Sequence, residues 1–238
     1  MSIQQSAIRN RLLAALPPAI FAALADHLQP ATLGLKQVLH EPGQKIQAVH
    51  FPEDGLVSYV TPLENGHGVE VGLVGREGLV GPSVLLGAPR AVTEAMVQME
   101  GSAWRIRTDE LRAAFERSAP LRALLLRYVQ AFHAQVAQTA ACNAQHAVDV
   151  RLARWLLMQH DRAERDEFPM THEFLALMLG TRRPSISVAA GVLQRSGAVR
   201  YVHGRLTVLD RAGLEAAACE CYGVVREQFD ELLGAPAR

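Results

Sequence analysis

From Pro120 to at least Ala147 the sequence offers a helix nothing to stop it. Pro120 suits a first turn, and neither glycine nor a second proline follows. Such a helix is roughly 40 Å long at about 1.5 Å per residue, more than a small domain can cover. Along it Leu125, Val129, Phe132, Val136, Thr139 and Asn143 recur at alternating spacings of four and three, a heptad seam. An amphipathic helix packed on its own domain would show the same stripe. The length favours a second copy of the chain, with Leu125, Val129, Phe132 and Val136 at the dimer seam.

The flanks differ in texture. Residues 6–28 read as two helical pieces broken at Pro17-Pro18, with Ile8, Leu12, Leu13 and Leu16 on the first and Ile20, Phe21, Leu24 and Leu28 on the second. From Leu33 to Ile106 the runs are short and β-branched, as in 57–60, 69–74 and 95–99, and are punctuated by Gly, Pro and Asn. Asn65-Gly66 is a hairpin signal, because both central residues of a type I′ turn need positive φ. Several short strands at this spacing predict an antiparallel barrel or jelly roll. Thr108 is expected to cap a short helix with Asp109 and Glu110 in its first turn. The predicted divisions are a β-roll at 1–119, the long helix at 120–147 and a compact α-rich module at 148–238.

That last module is predicted in order: a helix over 148–160, a polar loop over 161–169, and a short helix over 171–179 capped by Thr171. A tight turn at Gly180-Thr181 leads to a helix over 182–196 with Pro184 in its first turn. Gly197 ends that helix, and two strands flank His203-Gly204. Helix, helix, turn, helix and hairpin is the order of a winged helix-turn-helix.

Charge points the same way. The chain has 238 residues and no net charge, with 24 basic and 24 acidic side chains. Residues 170–211 nevertheless carry a net of +4, and Phe174–Leu209 contains five arginines and no acid. A localised basic face suits a polyanion, since neutralised phosphates release counterions. On the second short helix Ile186, Ala189, Ala190 and Leu193 share one face, and Arg183, Ser187 and Arg195 the other. Arg182 and Ser185 stand at its N-terminal end, where a major-groove helix meets base edges. Arg200, His203 and Arg205 lie on or beside the wing, placed for phosphates. With Thr171 these residues form the expected surface for double-stranded DNA.

Other classes fit less well. At 49% hydrophobic residues the chain can bury a core, and no run reaches a membrane span. No signal peptide opens it, so a soluble, cytoplasmic protein with no membrane partner is expected. No nucleophile–base pair, metal cluster or Walker loop supports an enzyme. His172-Glu173 lacks the second histidine of a metalloprotease helix, since Ala176 stands in its place. The three cysteines, Cys142, Cys219 and Cys221, exclude a disulfide scaffold. The C-x-C pair lacks the usual zinc spacing and shows no obvious fourth ligand, so no metal and no cofactor are expected. The thiols read as buried or idle, with a redox role for Cys142 as the alternative, and His133 and His146 read as solvated.

Met170–Ser187 and Leu193–Val199 are similar to the helix-turn-helix of the Crp/Fnr superfamily of bacterial transcription regulators. Gly75-Arg76-Glu77-Gly78-Leu79-Val80-Gly81 resembles the turn opening that family's effector cassette. The order of roll, long helix and terminal module agrees over nearly the whole chain. The resemblance implies an α+β fold with a cyclic-nucleotide-binding-like β-roll, a dimerisation helix and a winged helix-turn-helix. It also implies a homodimer on palindromic DNA, with RNA polymerase and an unidentified small-molecule effector as further candidate partners. The effector pocket would fall at Gly81, Pro82, Ser83, Arg90, Thr93 and Glu94.

The chain departs from the family there. Pro82 stands where cyclic-nucleotide binders carry a ribose-binding Glu, and Thr93-Glu94 where they carry a phosphate-binding Arg-Ser. Cyclic AMP is therefore not expected to bind in the family manner. No cysteine precedes Cys142, so the iron–sulfur ligand set is absent. Arg183 aligns with the family's main guanine-reading Arg, while Pro184 and Val188 replace two other base readers. A module that has lost DNA binding and serves ligand or protein interaction is the alternative.

Overall fold

Asn10 anchors the first helix, α1 (Arg11–Ala14). Its side-chain oxygen accepts from the Leu13 N–H at 3.2 Å, and its amide donates to the carbonyls of Pro52 and Gly78 at 3.0 and 2.8 Å. A buried amide whose donors and acceptor are all used fixes where the N-terminal segment lies on the strands that follow. The computed structural model describes residues 3–64, 68–163 and 165–234. The expected Asn65-Gly66 turn lies outside the described residues.

The chain divides into two units. One gathers the described residues through Tyr59, Leu73–His133 and those from Phe229; the other gathers 60–72 and 134–228. In the first unit α2 (Pro18–Ala25) follows Pro17. Seven strands come next along the chain, with the end of the fourth and most of the fifth in the second unit: β1 (Gln29–Leu33), β2 (Val38–His40), β3 (Ala48–Pro52), β4 (Leu56–Pro62), β5 (Gly68–Val74), β6 (Glu94–Met99) and β7 (Gly101–Arg107). They form two sheets, ordered β1-β7-β3 and β2-β6-β4-β5. Antiparallel register sets Leu33 opposite Gly101 and Phe51 opposite Trp104. Leu33, Val49, Phe51, Leu56, Val57, Leu73, Val74, Leu79, Val97 and Ile106 fill the interior.

Two helices leave the roll. In α3 (Thr108–Arg117) the N-cap is Arg107, not the expected Thr108. The Thr108 hydroxyl donates instead to the Ile46 carbonyl at 2.8 Å, and Thr108 is the first residue of the helix rather than its cap. The long helix, α4 (Ala119–Gln145), stops two residues short of Ala147. Ala147 already accepts the first hydrogen bond of the next helix, from the Arg151 N–H. Within the first unit Leu121, Leu124, Leu125, Tyr128 and Ala131 are buried. Tyr128 donates to the Leu79 carbonyl at 2.9 Å, and Phe132 lies 5.0 Å from the Tyr59 ring.

The second unit holds α5 (Val148–Ala163), β8 (Glu167–Pro169), α6 (His172–Met178), α7 (Arg183–Arg195), β9 (Val199–Val202), β10 (Arg205–Val208), α8 (Arg211–Ala217) and most of α9 (Cys221–Leu233). α5 packs against α7 and α8. Where a polar loop was expected over 161–169, α5 continues to Ala163 and β8 joins the wing in the order β8-β10-β9. Phe168 explains the strand: it faces Leu206 across the ladder and is buried.

Candidate DNA-binding surface

Thr171 opens the reader. Its hydroxyl accepts from the Phe174 N–H at 3.1 Å and caps α6, with Glu173 in the first turn. Gly180, at φ +57°, turns the chain into α7; a side chain there would press on Val69. Pro184 lies in the first turn of α7, and Gly197, at φ +79°, follows its end.

The face of α7 expected to be apolar is the buried one: Ile186, Ala189, Ala190 and Leu193 are all nearly inaccessible. That leaves Arg182, Arg183, Ser187, Val188 and Arg195 in solvent and Ser185 half-buried. The wing gathers Arg200, His203 and Arg205 around one open cleft, together with Glu167 and Val202. His203 takes φ +49° and Gly204 φ +75° in the wing turn.

Side-chain contacts hold these pieces in register. His172 stacks on Tyr201 with ring centres 4.5 Å apart, and its Nδ1 lies 2.9 Å from the Ser187 hydroxyl. Tyr201 donates to the Met170 carbonyl at 2.7 Å. Burial, and then the Arg183 charge, hold the His172 imidazole below its usual range. Ser187 also donates to the Arg183 carbonyl, so its hydroxyl is engaged within the protein.

Two acids absent from the sequence reading of this surface pair with its arginines. Arg183 Nε lies 2.5 Å from Glu173, and Arg205 Nη1 lies 2.6 Å from Glu167. Glu173 stands in the first turn of α6. Its spacing from Arg183 spans the inter-helix turn, which sequence periodicity does not measure.

The Crp-like helix-turn-helix family model matches residues 150–217, which carry this whole surface. The transcriptional regulator LdrP of Thermus thermophilus is 31% identical over 195 residues, covering 77% of this chain and 93% of that one. The chain belongs to the Crp/Fnr family of transcription regulators. Solved structures of that family share its fold. A crp/fnr-family regulator from Eubacterium rectale superposes with a TM-score of 0.70 at 18% identity, covering 87% of this chain and 96% of that one. FixK2 from Bradyrhizobium japonicum also gives 0.70, at 15% identity, with 81% and 98% covered.

The residues expected at an effector pocket lie in the first unit. Gly81, at φ +103°, is buried, and its N–H donates to the Tyr59 hydroxyl at 2.7 Å. A side chain at Gly81 would approach His40, Ile46 and Val49. Pro82 is buried beside it and Ser83 is half-buried. Arg90 is exposed and donates to the Gly43 carbonyl at 2.8 Å, while Thr93 and Glu94 are half-buried at the start of β6. The roll also opens a cleft that sequence reading did not find, lined by Lys45, Gln47, Arg105, Arg107 and Arg112. Arg107 is tied there to Asp109.

Of the four residues expected at a dimer seam, Leu125 is buried against its own chain. Val129, Phe132 and Val136 are half-buried, and Leu126 is 40% exposed. The accessible stripe keeps Val129 and Val136 from the expected seam and adds the exposed Leu126, His133 and Ala140.

His133 is exposed, as expected for a solvated histidine, but His146 is not. It lies with Cys142, Cys219 and Cys221 in one cluster. Among the described residues no helix is long and apolar enough to cross a membrane.

Proposed function

We propose that this Crp/Fnr regulator acts as a homodimer on palindromic DNA, reading bases with α7 and holding phosphates with the wing. One observation carries the reading. The buried face of α7 leaves Arg182, Arg183, Val188 and Arg195 turned outward on a helix of major-groove dimensions. Arg183 is assigned to guanine, Val188 to a thymine methyl, and Arg200, His203 and Arg205 to the backbone. Thr171 acts as the cap that sets α6 and not as a base reader.

Two copies would meet along Leu126, Val129 and Val136 and present their reading helices to half-sites about 34 Å apart. Cyclic AMP is not the effector in this reading, because Glu94 sets a carboxylate where a cyclic phosphate would need a cation. Function on DNA places the protein in the cytoplasm, with RNA polymerase as the downstream partner.

The test is selection from a random DNA pool with ligand-free protein at a stated salt concentration. Enrichment of a palindrome supports the reading and yields the half-site. Salt-sensitive binding without enrichment supports a reader gated by an effector. No binding at low salt overturns it and leaves an interaction module.

A further inference from the structure

Cys142 stands near the end of α4 and His146 one turn on, just past its last residue; Cys219 lies in the connection between α8 and α9, and Cys221 begins α9. The three Sγ atoms and one ring nitrogen of these residues all lie within 4.8 Å of one another. Cys142 Sγ is 3.6 Å from Cys219 Sγ, and Cys221 Sγ is 3.6 Å from His146 Nδ1. A tetrahedral ion with bonds of about 2.3 Å to sulfur and about 2.0 Å to nitrogen sets its ligands about 3.8 Å apart for S···S and about 3.6 Å for S···N. These two edges match those of a tetrahedron, and the remaining four are within 4.8 Å.

The surroundings are those of a ligand shell. Cys142 and Cys221 are buried and Cys219 is half-buried. With Nδ1 turned to the sulfurs, His146 points Nε2 at the Glu220 carboxylate, 3.5 Å away. That is the carboxylate–histidine arrangement that orients a metal-bound imidazole. Gln138 Nε2 lies 3.0 Å from Cys221 Sγ, placed to donate to a thiolate. Arg151 and Arg154 sit close enough to Cys142 for their charges to act on it. Three thiolates, a neutral imidazole and a divalent ion sum to one negative charge, which these guanidiniums offset.

We propose that Cys142, His146, Cys219 and Cys221 form a closed Cys3His site for one zinc-class divalent cation, which ties the end of α4 to the start of α9. Four protein ligands leave no open position, so the ion's role is structural. The convergence of all four donors fits one ion; a cluster of several irons would spread them further apart. Each thiol releases its proton to solvent as it binds. The site does not rest on the DNA-binding reading.

The test titrates Co2+ into the full-length chain, reduced, stripped with chelator and kept anaerobic. One equivalent is expected to produce the ligand-field bands of tetrahedral cobalt and sulfur-to-cobalt charge transfer, both lost on adding Zn2+. Cys219→Ser, at the least buried thiol, should lower the charge-transfer intensity by about a third, one ligand in three. Glu220→Gln should keep the spectrum and weaken binding roughly tenfold. His146→Gln provides a second ligand variant if Cys219→Ser fails to fold by circular dichroism. Absence of the tetrahedral bands in the reduced chain overturns the proposal. So does a spectrum that neither ligand variant changes. A Cys142–Cys219 disulfide as isolated, with no cobalt bands after reduction, would assign the cluster to redox chemistry.

Discussion

Arg183 and Glu173 form a pair whose removal has opposite expected effects on DNA binding. Their side chains are 65% and 64% exposed, so their contact stabilises the free protein by no more than about 1 kcal/mol. A bidentate contact from Arg183 to guanine contributes about 1–3 kcal/mol of discrimination. Arg183 therefore leaves Glu173 at little cost when it meets DNA. Arg183→Ala should weaken the selected site by roughly 5- to 150-fold, the equivalent of about 1–3 kcal/mol, and relax preference at one base pair. Glu173→Gln removes a carboxylate from a face meant for phosphates and frees Arg183, so it should tighten binding up to about 5-fold. That gain should shrink in the Arg183→Ala background, since part of it acts through the arginine. The assay is fluorescence anisotropy at fixed salt, on the selected duplex and on single-base variants of it. If Arg183→Ala weakens every duplex equally, Arg183 is a phosphate contact and α7 is docked differently. If Glu173→Gln weakens binding, the carboxylate orients Arg183 or touches a base, and the reasoning fails.

Three further outcomes are expected. Arg200→Ala should weaken cognate and random DNA alike and lower the salt slope of binding by about 1 per half-site, read from titrations at several salt concentrations; a cognate-only loss would contradict a phosphate role. Thr171→Ala should cost about 1 kcal/mol in urea unfolding by orphaning the Phe174 N–H, with Thr171→Ser recovering most of it; an unchanged midpoint would remove the cap from the account. Burial first, then the charges of His40 and Arg105, hold the His50 imidazole down at about 4 against 6.5 in the unfolded chain. The unfolded state thus takes up the proton first, and stability should fall by on the order of 3 kcal/mol as the pH drops from 6.5 towards 4. His50→Leu should flatten that part of the curve, and an identical slope in the variant would show that other groups carry it.

The sequence alone determined much of the reader. The apolar face of α7 could be read because helical periodicity is local: Ile186, Ala189, Ala190 and Leu193 had to share one side wherever the helix packed. Thr171, Pro184 and Gly197 marked helix ends because capping chemistry depends on a few adjacent residues. The β-roll was legible for the same reason, its short runs and turn residues each acting over a handful of positions. Tertiary structure decided what depends on distance through space. Periodicity could not tell whether Leu125 faces its own chain or a second copy; burial within the first unit takes Leu125 and leaves Leu126 exposed. The 161–169 segment looked like a loop until β10 supplied a partner for Phe168. The Cys3His cluster was the least legible feature. Cys142 and His146 form a pair four residues apart at the end of α4, but Cys219 and Cys221 lie more than 70 residues away in sequence. Only packing within the second unit could bring them together, because metal-ligand geometry is set by distance in space and not by spacing along the chain.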